Sequence, residues 1–194
     1  MRLFIASALF AAGAVVSPKP AAAAPPAKQV QKPLKTLIAA IRYGKYDLAA
    51  KQLDVREMVE RIMADDWAKL SDDQKKELVS GFDRILRSTS FKRGKELFKH
   101  LDAVLYDKPR DGENGGALCK STIVIHRNYK KTEFVIDWVL KKDGGVFKVY
   151  DIIMLGESTL EGIREDQIDP LIEEGGTAAV LAAMRDKVKE VESK

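Results

Sequence analysis

The stretch from Phe134 to Ser158 limits the possible folds more than any other part of the chain. Two runs rich in β-branched and aromatic residues, Glu133 to Lys141 and Val146 to Leu155, flank Lys142-Asp143-Gly144-Gly145. Such runs around an Asp-Gly-Gly turn predict a β-hairpin. A third run of the same character, Leu118 to Tyr129, comes just before them, so an antiparallel sheet is expected. Strand side chains alternate between faces. Phe134, Ile136, Trp138 and Leu140 therefore share one face, and Val135, Asp137 and Val139 share the other. The last run is apolar on both faces in places (Val149, Ile152, Ile153, Met154, Leu155), as expected of a strand covered on both sides.

Helical spacing dominates elsewhere. Leu37, Ile38 and Ile41 begin a stripe near Leu34, Gly44 interrupts it, and Val55, Met58, Val59, Ile62 and Met63 continue it towards Trp67. Ser71-Asp-Asp-Gln74 reads as a capping box. The helix after it places Leu78, Val79, Phe82, Ile85 and Leu86 on one side. Leu97, Phe98, Leu101, Val104 and Leu105 repeat that spacing and predict a further helix. Pro109 to Gly116 is a loop by its turn chemistry. Helical patterning returns from Leu160 to Ile172, breaks at Gly175-Gly176, and resumes at Thr177 with Val180, Leu181, Met184 and Val188. Broad apolar stripes need a large apolar surface to pack on, and a sheet provides one. The expected class is α+β: a curved antiparallel sheet of about four strands against a helical bundle, enclosing an apolar cavity.

The residues around the last strand carry a resemblance to a known family. Lys148-Val149-Tyr150-Asp151, then Gly156-Glu157-Ser158 and Arg164, are similar to the "WKVYD"-like strand, G-x-S and downstream Arg of the MlaC family of periplasmic phospholipid-binding proteins. Trp67, Ser71, Gln74 and Phe82 match that family's W-x(3)-[ST]-x-x-Q helix entry. The resemblance covers most of the chain after residue 34. It implies a cystatin-like or nuclear-transport-factor-like fold without cofactor. It also implies a soluble shuttle between an outer-membrane lipoprotein complex and an inner-membrane ABC transporter with an MCE-type subunit. Four positions depart from the pattern. Phe147 stands for Trp, Glu157 for an apolar residue, Ile163 for Tyr, and Gln167 for an aromatic. These leave the cargo open to a hopanoid or another apolar molecule.

The ends and the charge agree with that setting. Arg2, the apolar run Leu3 to Val16 and Ala21 to Ala24 read as a cleavable signal peptide over residues 1–23. About 14 apolar residues fall short of the roughly 20 that span a bilayer as a helix. Residues 24–33, with Pro25, Pro26 and Pro33, read as an extended leader, and 34–194 as a single lipid-binding domain. One cysteine, Cys119, excludes an internal disulfide. The chain carries 33 basic against 29 acidic residues. So weak a surplus gives no footing for nucleic acid. Its distribution is uneven: residues 28–52 hold six bases and one acid, whereas 157–194 hold ten acids and five bases.

Catalytic chemistry is hard to find. Two histidines, His100 and His126, and one cysteine give no metal-ligand spacing, and no phosphate loop or nucleophile elbow occurs. Asp137 and Asp151 on neighbouring strands are the one conceivable acid–base pair, which would suit an isomerase or hydratase. A third possibility is an adaptor with a filled core. Ser158 reads as a helix-entry hydroxyl, and Arg164 either pairs with Glu161 or Glu165 or meets a lipid phosphate. The expected cavity lies between sheet and helices, near Phe134, Ile136 and Trp138 on one side and Phe82, Leu86, Leu97, Leu101, Ile163 and Arg164 on the other.

Overall fold

The computed structural model describes residues 24–193, so the signal peptide expected over 1–23 lies outside the described residues. Helix α1 (Ala27–Arg42) opens the fold and is followed by α2 (Tyr46–Ala50) and α3 (Val55–Met63). A 3₁₀ segment, Ala64–Lys69, leads to α4 (Asp72–Ser88) and α5 (Ser90–Phe98). Six strands come next: β1 (Leu101–Tyr106), β2 (Arg110–Asp111), β3 (Ala117–Arg127), β4 (Lys130–Asp143), β5 (Val146–Met154) and β6 (Glu157–Ser158). The chain closes with α6 (Thr159–Ile163), a π-helical turn Arg164–Ile168 and α7 (Asp169–Glu192). No helix of the described residues is long and apolar enough to cross a membrane.

The sheet is antiparallel, in the order β1-β3-β4-β5-β6, with β2 paired to β3. The three β-rich runs of the sequence are its central strands. Gly144 and Gly145, at φ +54° and +87°, make the two-residue turn between β4 and β5, a geometry that glycine adopts without steric penalty. The capping box is also present, with Gln74 N donating to Ser71 Oγ and Ser71 N donating to Gln74 Oε1.

Two sequence expectations are corrected. The leader is not extended beyond Pro26: α1 begins at Ala27 and carries Pro33 inside it. Proline removes a backbone donor and disfavours a helix interior. Here burial of Val30, Pro33, Leu34, Leu37, Ile38 and Ile41 outweighs that cost. The helix expected through Leu105 stops at Phe98, and Leu101–Tyr106 is strand β1. Its apolar residues satisfy either period; pairing of Leu101 with Ile125 and of Val104 with Ile123 decides for the strand.

The main core lies between one sheet face and α1. Leu34, Leu37, Ile38 and Ile41 pack in one cluster with Ile123, Ile136, Trp138, Leu140 and Val149. Trp138 is 3% exposed, and its indole N–H donates to the buried Ser121 hydroxyl at 2.8 Å. Cys119, opposite Trp138 in the register, is fully buried. Burial, with Asp107 and Asp137 nearby, pushes its thiol pKa up to about 11. A second cluster joins Val59, Met63, Trp67, Leu70 and Leu78 to Val180 and Leu181 of α7. Within α7, Gly175 and Gly176 have non-helical dihedrals, which places the break where the glycine pair predicts it.

The Trp138–Ser121 bond is testable. Ser121→Ala leaves the indole N–H buried without an acceptor, so unfolding by denaturant should show a loss of about 1–3 kcal/mol. A variant as stable as the parent would show that the bond contributes nothing.

Candidate functional site

The helical cluster is not solid. A cavity of about 550 Å³ opens between α3, α4, the π-helical turn and α7. Val59, Ile62 and Met63 of α3 and Leu78 of α4 form its floor, Phe82, Ile85 and Leu86 one wall, and Val180, Ala183 and Met184 the other. Ile163, Ile168 and Leu171 complete it. α4 and α7 pack closely beside this space. A Cβ on Gly81 would lie 2.7 Å from Met184 Cγ. The helices are also tied by two ion pairs on their outer sides. Arg84 Nε donates to Glu192 at 2.6 Å, and Arg185 pairs with Glu77. That Arg185 bond holds the Glu77 carboxyl below its ordinary pKa.

The cavity rim is polar and carries cations. Ser90, Arg93, Gln167 and Lys187 line it from exposed positions, and no Asp or Glu lines it. Lys187 pairs with Glu190 at 2.8 Å. Arg93 makes no ion pair or side-chain hydrogen bond among the described residues. An unpaired guanidinium beside apolar walls suits the phosphate of an amphiphile.

A second cleft, about 740 Å³, lies on the other side of α3, against the opposite sheet face. Leu118, Val139, Ile153 and Leu160 form its apolar part. Its rim is acidic, with Glu57, Glu60, Glu113 and Glu161 beside Arg61 and Arg164. Arg61 stacks 4.4 Å over the Tyr150 ring and pairs with Glu57 at 2.9 Å. Burial opposes ionisation of Glu57, but hydrogen bonds from Lys141 and Arg61 prevail and hold its carboxyl below the usual range.

The cavity brings together only some of the residues expected from the sequence. Phe82, Leu86 and Ile163 line it; Leu97, Leu101, Phe134, Ile136 and Trp138 do not. Ile136 and Trp138 are packed core, with Leu101 and Phe134 half-buried against it, because α1 occupies the sheet face that was expected to be hollow. Leu97 is 41% exposed on α5. Arg164 faces the second cleft, where it donates to the Ile62 carbonyl at 3.2 Å and pairs with Asp169 at 3.2 Å, not with Glu161 or Glu165. Arg93, Lys187 and Met184 were missed as site residues. Met184 sits on a visible stripe, but nothing in the sequence marks Arg93 as the unpaired cation.

The carboxylate pair is not assembled for proton transfer. Asp137 lies between Arg110, 3.7 Å away, and Lys120, 3.6 Å away. Asp151 accepts from Ile152 N at 2.7 Å, Ser158 Oγ at 2.6 Å and Leu160 N at 3.3 Å. Ser158 in turn caps α6, accepting from Glu161 N at 3.1 Å. The D…G-x-S segment is thus a clamp from β5 to α6. Among the described residues no cluster of three or more His, Cys, Asp or Glu could hold a metal.

The model of the MlaC protein family matches residues 32–186. The chain belongs to the MlaC family. Several solved chains also match, among them the phospholipid-binding protein from Ralstonia solanacearum, solved in complex with a phospholipid. The TM-score is 0.69 at 17% identity, over 86% of this chain and 98% of that one. No curated protein matches the chain significantly. The chain therefore shares the α+β fold of a phospholipid-binding protein, and in this chain the K-V-Y-D and G-x-S residues form a structural joint.

The joint can be tested by chemistry that separates acceptor from charge. Asp151→Ala should destabilise by roughly 2–4 kcal/mol, because charged acceptors contribute most. Asp151→Asn, whose carbonyl can still accept and whose amide can donate to Ser158, should cost less than half as much. Equal losses in thermal or denaturant unfolding would refute the clamp.

Proposed function

We propose that this chain is a periplasmic carrier that holds the acyl chains of a phospholipid in the helix-lined cavity and shuttles it between membranes. The observation that carries the proposal is the cavity itself: apolar walls, no carboxylate, and an unpaired Arg93 at the mouth. Membership of the MlaC family supports the same reading. Burying a chain of about 16 carbons is worth on the order of 12 kcal/mol at roughly 0.8 kcal/mol per CH₂. Shielding alone therefore supplies the affinity, and no cofactor or reacting group is needed. The task is binding rather than catalysis, in keeping with Asp137 and Asp151 each being tied to separate partners.

Phe82, Leu86 and Ile163 are the lipid-contacting residues among those expected from the sequence, joined by Ile85 and Met184. Arg93 takes the phosphate role that the sequence offers Arg164 as one of two alternatives. The acid-rimmed second cleft would repel an anionic headgroup. Residues 1–23 direct export as a signal peptide. Lipid is delivered to or taken from an MCE-type inner-membrane ABC transporter subunit and an outer-membrane lipoprotein complex. A hopanoid would use the walls but gain nothing from Arg93, so the cation favours phospholipid.

Organic extraction of the purified protein followed by mass spectrometry tests the reading. Stoichiometric phospholipid is expected. Leu86→Arg, which puts a charge against the chains, should abolish loading, and Arg93→Glu should lower it about tenfold or more while the protein stays folded by circular dichroism. An empty parent protein, or full loading of both variants, would sink the proposal. Recovery of a neutral polycyclic lipid would redirect it to a hopanoid.

A further inference from the structure

The turn between β3 and β4 is built against local preference. Its central residues, Asn128 and Tyr129, both have positive φ, at +50° and +61°. This two-residue geometry suits Asn-Gly, whereas a bulky side chain with φ above zero is strained. The neighbouring β4–β5 turn meets the same demand with Gly144 and Gly145. The register adds a second penalty. Arg127 lies opposite Lys130, and like charges across a strand pair repel. Lys131 finds Glu133 at 2.8 Å, while Arg127 and Lys130 have no ion pair among the described residues.

Every residue from 126 to 133 is exposed, and the Tyr129 ring stands wholly in solvent. Strain and local repulsion that serve no packing purpose point to a binding role. A stable protein interface covers about 800 Å² on each partner, far more than a two-residue tip offers. An anionic bilayer surface, by contrast, rewards a lone amphipathic ring at headgroup level and a few nearby cations.

We propose that the β3–β4 hairpin tip is a contact point for anionic lipid bilayers, with Tyr129 seated among headgroups and Arg127 and Lys130 facing lipid phosphates. An anionic surface relieves the repulsion between the cations, and the ring gains an interfacial environment in place of water. The contact is separate from the cavity and does not depend on what the cavity holds.

Flotation of lipid-stripped protein with phosphatidylglycerol/phosphatidylethanolamine vesicles, and in parallel with phosphatidylcholine vesicles, tests this. Binding is expected to the anionic vesicles only, and it should weaken as salt rises. Lys130→Glu should weaken it by at least about fivefold. Tyr129→Gly should raise the melting temperature by releasing the strained φ, yet weaken binding several-fold. Tyr129→Trp should bind like the parent. A parent protein that ignores anionic vesicles, or either weakened variant binding as well as the parent, overturns the proposal. In the first case the tip would be left to an acidic protein partner. Because stripped protein is used, the outcome does not hinge on whether extraction finds bound lipid.

Discussion

Everything else in this molecule is arranged around the packing of α1 against the sheet. Val30, Leu34, Leu37, Ile38 and Ile41 fill the concave face that a curved sheet would otherwise leave open, and each side chain buried this way contributes roughly 1.5–3 kcal/mol. With that face occupied, what remains between α1 and the strands is a groove of about 340 Å³ beside β1. The larger hollows lie around α3: the cavity that α3, α4 and α7 surround, and the cleft against the opposite sheet face. The cavity's position thus follows from where the first helix goes.

The two hollows differ mainly in electrostatics, although both have apolar floors. One has a rim of hydroxyl, amide and cationic groups; the other is ringed by carboxylates whose cations are already paired or stacked. Hydrophobic burial is non-directional and would accept an acyl chain in either. In the carrier proposed above, charge at the mouth would discriminate, since an anionic headgroup would be attracted to the first and repelled by the second. α3 separates the two, with Ile62 on one side and Arg61 on the other.

Much of the fold was legible in the residues. The central hairpins, the capping box at Ser71 and the diglycine break in α7 all follow from local chemistry that the tertiary structure does not override. The misreadings have tertiary causes. Val30 looked like part of a proline-rich leader because its partners lie about a hundred residues away on the sheet. Leu101, Val104 and Leu105 fit a helical period as well as a strand, and only pairing with β3 separates the two. The site was harder to see than the fold. Trp138 and Ile136 were correctly placed on an inward face, but no pattern in the sequence tells a filled inward face from a hollow one. Arg93 becomes notable only once its lack of an acidic neighbour is visible in space.

Cys119 decides how the one thiol of the chain meets oxidants. Its sulfur is sealed beneath the sheet beside Trp138, and its thiol stays protonated far above neutral pH. Disulfide exchange requires an accessible thiolate. In the folded protein this thiol is therefore shielded from disulfide exchange, and it becomes reactive when the sheet comes apart. Alkylation of that one sulfur would report global unfolding directly, without any added label.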